Sequence, residues 1–456
     1  MSKELDLLTG RITPTILRLS APLMGTTLVQ MAYSLIDVLW LGRLGTQAVA
    51  AVGTAGFLFW LAEAVSKIPR VGMSVLTAQH YGAGRREDAK ADIRNGLQMA
   101  IILGLLYSVA MILGRQQIIG FFGLDPVVHK LAIDYLVIVA AGFVLTFVNP
   151  VLSAAYYSIG NSVTPFRINV LGLITNMILD PVFIFGFGPI PGLGVRGAAI
   201  ATVFAQGLVT ALFLSIMLRE RDIVYQSKVL SAPNGKLFRR IFQLGLPPAV
   251  NSGIHSIAGI VLNKYMAAYG ATPVAVYTIG AQVESITWMT GDGLSAGLAA
   301  FIGQNYGAKK LERVRGGAKM GMLLICSLGT IATVLFLFFG EEIFRIFIPG
   351  DPDAIAMGIY YLWIVSASQI LMSIEIGSTG ILSGLGETTL PGMIGSVLNL
   401  LRIPMAWVFM SIFGVMGVWM SMSASAGLKG IAILFVLRRQ TRNLSQKWVL
   451  KTENGE

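Results

Sequence analysis

Twelve apolar runs, each long enough to cross a bilayer as a helix, constrain this chain more than any other feature. A span needs about 20 residues. The runs fall at 14–42, 48–78, 94–114, 128–153, 163–187, 197–218, 239–269, 275–303, 316–339, 354–381, 389–411 and 414–437. Lipid offers a backbone no hydrogen-bond partner, so each run must satisfy its own amides, and the helix is the structure that does so. The expected fold class is therefore an all-α integral membrane protein with twelve transmembrane helices. Composition agrees: 55% of residues are hydrophobic and 12% charged, against about 25% charged in a soluble domain. One cysteine, Cys326, excludes an internal disulfide and a cysteine metal cluster. Met1-Ser-Lys-Glu carries both signs and does not read as a signal peptide.

A net charge of +11 would suggest nucleic acid in a soluble chain, but here the charges are sorted by loop. The N-terminus, the loops after even-numbered spans and the C-terminus hold 24 of the 34 Lys and Arg residues; the loops after odd-numbered spans hold 5. Such bias places both termini in the cytoplasm of a multi-pass plasma-membrane protein. The expected partners are membrane lipids, with no nucleic acid.

The chain repeats itself. At a shift of 225 residues Pro22 falls on Pro247, Gly45 on Gly270, Gly72 on Gly297, and Gln79-x-Tyr81-Gly82-Ala83 on Gln304-x-Tyr306-Gly307-Ala308. At a shift of 226, Asp125-Pro126 falls on Asp351-Pro352 and Pro165 on Pro391. The reading is an N-terminal six-helix lobe (1–218), a cytoplasmic linker (219–238), a C-terminal six-helix lobe (239–437) and a cytoplasmic tail (438–456). Six is even, so the lobes are expected to run parallel, about a pseudo-twofold axis along the membrane normal, as in several secondary transporters.

Ionisable residues inside spans cost on the order of 2.5–3.5 kcal/mol on insertion scales, and usually face a cavity or a partner. The acids are Asp37, Glu63, Asp180, Glu284, Asp292 and Glu375; the bases are Lys67, Arg70, Lys264, Arg402 and Lys429, read as few and scattered. Asn176 and Asp180 are spaced i, i+4, on one helix face. Pro181 follows and leaves the Met177 carbonyl without a donor. Carboxylate, amide oxygen and loose carbonyl suit a proton or a hard cation; the competing reading is a proline kink with a capped carboxylate. The repeat places Leu262, Arg402 and Ala406 opposite Asp37, Asn176 and Asp180. That asymmetry points to ion coupling in the first lobe alone. On span 2, Glu63, Lys67 and Arg70 share one face. Asp292 lies at the repeat position of Lys67, so Lys67 or Arg70 could pair with Asp292 between lobes, as a static pair or as a gate. Pairing of Glu63 with Lys67 in one helix is the alternative.

Other signals weigh less. Gly293-Leu-Ser295-Ala-Gly297 matches a serine-hydrolase pattern but lies in a span rather than at a strand-to-helix elbow, and no enzyme activity is expected. Gly82-Ala-Gly84-Arg85-Arg86 lacks a P-loop ending and reads as a tight turn. His80 and His129 are placed in loops, with no metal-ligand cluster.

Taken in order, Leu19-Ser-Ala-Pro22, Asp37-x4-Gly42-Arg-Leu-Gly45, Gln79-x-Tyr-Gly82-Ala, Asn176-x3-Asp180-Pro181 and Gly197-Ala-Ala-Ile-Ala-Thr202 resemble the multidrug and toxic compound extrusion (MATE) transporters over nearly the whole chain. The resemblance implies alternating-access antiport of cationic or amphipathic organic compounds, driven by H+ and/or Na+, with no other cofactor and a monomeric protein. It assigns Asp37, Asn176, Asp180 and Thr202 to ion coupling, with Na+ or a proton at that set. Tyr33, Tyr135 and Asn149 match positions that line the drug cavity, and Pro22 the proline at which the first helix is reported to bend. His255 stands where the NorM-like branch carries a glutamate, which favours the DinF-like branch. A lipid-linked oligosaccharide flippase of the same superfamily is the alternative; it calls for a cavity rich in bases.

Overall fold

The computed structural model describes residues 4–348, 350–442 and 444, without the side chains of 33–35, 37–39, 190 and 271. In chain order come α1 (Ile12–Leu44), α2 (Thr46–Gly82), α3 (Arg86–Gly120), α4 (Pro126–Ser158), α5 (Val163–Phe185), β1 (Gly186–Phe187), β2 (Ile190–Pro191), α6 (Val195–Glu220), α7 (Ile223–Gln226), α8 (Gly235–Ala267), α9 (Ala271–Gly307), α10 (Leu311–Phe338), α11 (Gly340–Phe347), α12 (Pro352–Gly384), α13 (Thr389–Phe413) and α14 (Val415–Arg442). Twelve of these helices have 23 residues or more. Among the described residues nine of them, all but α1, α8 and α9, are long and apolar enough to cross a membrane.

The internal repeat reappears as geometry. Helices α1 and α8 both have 33 residues, α2 and α9 both 37, α4 and α12 both 33. The break before α2 falls at Gly45 and the break before α9 at Gly270, each with φ 109, a region that only glycine enters cheaply. Asp125 caps α4 by accepting from the amides of Val127 (3.0 Å) and Val128 (3.1 Å). Asp351 caps α12 through Ala354 at 3.0 Å. A proline follows each cap at the first helical position, where its missing N–H costs nothing.

The helices sort into two compact units. One comprises Gly25–Ala249 with the segment ending at Leu5, the other Asp6–Met24 with Val250 onward. The first half of α1 therefore belongs with the second-half helices, and the first half of α8 with the first-half helices. Close backbone approach explains this. A Cβ on Gly72 of α2 would lie 2.1 Å from the Ile241 carbonyl oxygen of α8, and one on Gly245 2.0 Å from that of Ile68. In the other unit a Cβ on Gly297 of α9 would lie 2.1 Å from Oγ of Ser20 on α1. Small residues allow such contacts where lipid supplies no hydrophobic drive for helix association.

The core of the first unit is mainly aliphatic, with an aromatic cluster on α4. Phe143 and Phe147 of α4 are fully buried, and Tyr107 meets Phe143 edge-on at 5.0 Å. In the second unit α12 lies against α9, α10 and α14. Its Tyr361 meets Trp419 edge-on at 5.3 Å. The segment between α7 and α8 is tied to the first unit: Gln98 donates to the carbonyls of Val229 (2.7 Å) and Ser231 (2.6 Å), and Asn95 accepts from the Asn234 amide at 2.8 Å.

Candidate ion-coupling and substrate sites

Helix α5 carries Pro181 in its interior and, on the turn before it, the pair that the spacing singled out. Asn176 and Asp180 are both buried, at 4% and 0% exposure, and the Asn176 amide donates to the Asp180 carboxylate at 2.8 Å. The short β1–β2 hairpin returns the chain to α6, which packs along α5. At Gly197 the two run so close that a Cβ would lie 2.2 Å from the Phe183 carbonyl oxygen. Thr202 lies one turn further along α6, its hydroxyl bonded to the Ala198 carbonyl at 3.0 Å. The backbone of α1 passes through Tyr33 and Asp37, but their side chains lie outside the described residues. Pro22 sits inside α1, which continues through it.

Tyr135 of α4 is buried, at 5% exposure. Asn149, also on α4, is held by α6: its amide donates to the Gln206 carbonyl at 3.0 Å and to the Gln206 side chain at 2.8 Å, and Thr210 donates to its oxygen at 2.7 Å. Gln206 and Thr210 escaped the sequence reading. Their signal was two polar residues one turn apart in an apolar span.

On α2, Arg70 Nη1 lies 3.7 Å from the Glu63 carboxylate. Lys67 lies on the same helix, whereas Asp292 lies on α9 in the other unit. The loop placements of His80 and His129 are corrected. Both lie in helices, α2 and α4, because these run past their apolar stretches. His80 Nδ1 stands 2.6 Å from the fully buried Asp92.

The second unit corrects the reading of scattered bases. Lys429 of α14 lies 3.0 Å from Glu375 of α12. Arg402 of α13, at 5% exposure, lies within Coulombic range of Glu375 and of Glu284 on α9. Glu284 accepts from Gln369 at 2.9 Å and from the Tyr361 hydroxyl at 3.3 Å. Two bases and two acids thus meet in one place, each from a helix that separately looked like an isolated exception. The sequence signal was their balance: three acids (with Asp292) and three bases (with Lys264) are embedded in the same six-helix repeat.

A family model described as MatE matches the chain twice, over residues 22–182 and 247–408, in the register of the internal repeat. This chain belongs to the MATE family. It is 28% identical over 431 residues to the probable multidrug resistance protein NorM of Thermotoga maritima, covering 93% of this chain and 92% of that one. It is 25% identical over 447 residues to the FAD transporter of Shewanella oneidensis, covering 96% and 97%. A crystal structure of a MATE transporter in the bent conformation superposes with a TM-score of 0.90 at 23% identity, covering 98% of this chain and 99% of that one. MATE membership and that shared fold identify the long helices as a membrane transporter's spans.

Proposed function

We propose that this protein is a secondary active multidrug efflux transporter. It exports cationic or amphipathic organic compounds by alternating access, in exchange for H+ and/or Na+. The observation that carries the reading is the buried Asn176–Asp180 pair in a chain that matches the MatE model twice. A carboxylate inside a membrane bundle pays for its burial only through a partner, a proton or a cation. Asp180, Asn176 and Thr202, with Asp37 from α1, form the proposed coupling set. A cation there drives transport only if its affinity differs between the two conformations. Tyr33, Tyr135 and Asn149 are proposed to line the drug cavity of a monomer in the plasma membrane, with both termini cytoplasmic.

The finer placement in the DinF-like branch rests on His255, while relatives named NorM stand among the similar chains. It predicts no Na+ site of the NorM type around His255. The test is dye export from proteoliposomes with the Na+ and pH gradients imposed separately. Export driven by either gradient and abolished by its collapse supports the reading; export that ignores both overturns it.

A further inference from the structure

The charged cluster of the second unit differs in kind from the site on α5. Lys429 and Glu375, 3.0 Å apart, neutralise one another. Arg402 and Glu284 do not. Among the described residues no carboxylate lies within 4.0 Å of the Arg402 guanidinium, and its Nε makes no hydrogen bond. Among the described residues Glu284 accepts hydrogen bonds from neutral donors alone, Gln369 and Tyr361. A guanidinium keeps its charge in a protein, and an unpaired charge in a membrane bundle is costly. Arg402 therefore has a guanidinium fork, suited to a planar or tetrahedral anion, with no carboxylate of a described residue in ion-pair contact. The cluster is not sealed, since Glu284 and Glu375 each keep some exposed surface.

We propose that Arg402 anchors the acid group, carboxylate or phosphate, of amphipathic substrates, and that Glu284 is the internal carboxylate competing for the same cation. This rests on the transport reading above and names a substrate class for it. The repeat supports the division of labour. Asn176, whose amide serves a carboxylate in the first unit, occupies the repeat position of Arg402. One unit presents a carboxylate and an amide, the other a cation with free donor capacity.

The test uses two probes that differ in one group: a rhodamine with a free benzoate, and its methyl ester. Binding of each to the purified full-length protein is measured by fluorescence. A charge-assisted hydrogen bond is worth about 1.5–3 kcal/mol, so Arg402→Gln should lower the acid-to-ester affinity ratio about tenfold or more. Glu284→Gln should raise that ratio by removing the competitor. Arg402→Lys, which keeps the charge and loses the fork, should fall between. The double variant Glu284→Gln/Arg402→Gln removes the charges together and protects against misfolding; it should show no preference for the acid. An unchanged ratio across these variants overturns the proposal. Failure of the ester to bind the parent protein, with the acid still bound through Arg402, would instead sink the multidrug reading and leave this one standing.

Discussion

Lys429 Nζ lies 3.0 Å from a Glu375 carboxylate oxygen, with the two side chains 8% and 14% exposed. Breaking such a pair from one side leaves a charge buried alone, which costs about 3–5 kcal/mol, whereas replacing both partners with apolar groups is often neutral. Glu375→Leu and Lys429→Met alone should each lower the thermal midpoint in detergent markedly. The double variant should recover most of the loss. Additive losses would mean that the contact contributes nothing.

Asp180→Asn should fold and insert, because the new side chain keeps the size of the old one and still accepts from Asn176. Gradient-driven export should fall to background while drug binding remains. Both are measured on the same purified variant. Export at the parent rate, with unchanged Na+ and pH dependence, would make the carboxylate structural.

Gly72→Ala and Gly53→Ala test helix contact within one helix. At Gly72 the new methyl would meet the Ile241 carbonyl oxygen at 2.1 Å, whereas nothing lies within 4 Å of a Cβ at Gly53. The first should destabilise by about 1–3 kcal/mol, the cost of overpacking. The second should stabilise by about 0.5–1 kcal/mol through helix propensity. Thermal midpoints of opposite shift are the expected result.

The N-terminal strap should open on one substitution. Arg313 donates to the carbonyls of Leu7 (3.0 Å), Thr9 (2.9 Å) and Gly10 (2.7 Å), and Lys310 to that of Leu8 at 2.9 Å. The Asp6 carboxyl is held below its ordinary range by the Thr9 hydroxyl and the Leu8 amide. Arg313→Ala should speed amide exchange around residues 6–12 while leaving exchange in α12 unchanged. Unaltered exchange at 6–12 would show that the strap is held by other contacts.

Topology is checked by labelling. In a Cys326-free background, single cysteines near Gln226 and at either terminus should be protected from a membrane-impermeant thiol reagent in intact cells. Labelling near Gln226 from outside would reverse the assigned orientation.

The sequence by itself determined the twelve long helices and their repeat, though not the short α7 and α11 or the β1–β2 hairpin. Apolar runs, capping Asp-Pro pairs and the glycines at 45 and 270 act locally, and the structure uses them where they stand. It also singled out Asn176 and Asp180, because one helix turn is a local spacing. Tertiary structure alone decided which helix each embedded polar group meets. It gathered Glu284, Glu375, Arg402 and Lys429 from four helices, tied Asn149 to Gln206 and Thr210, paired His80 with Asp92, and assigned the first halves of α1 and α8 to different units from their second halves. None of this is written in hydropathy, since lipid and a neighbouring helix are equally apolar. Which faces meet depends on where small residues let backbones approach and on which buried polar groups can satisfy one another.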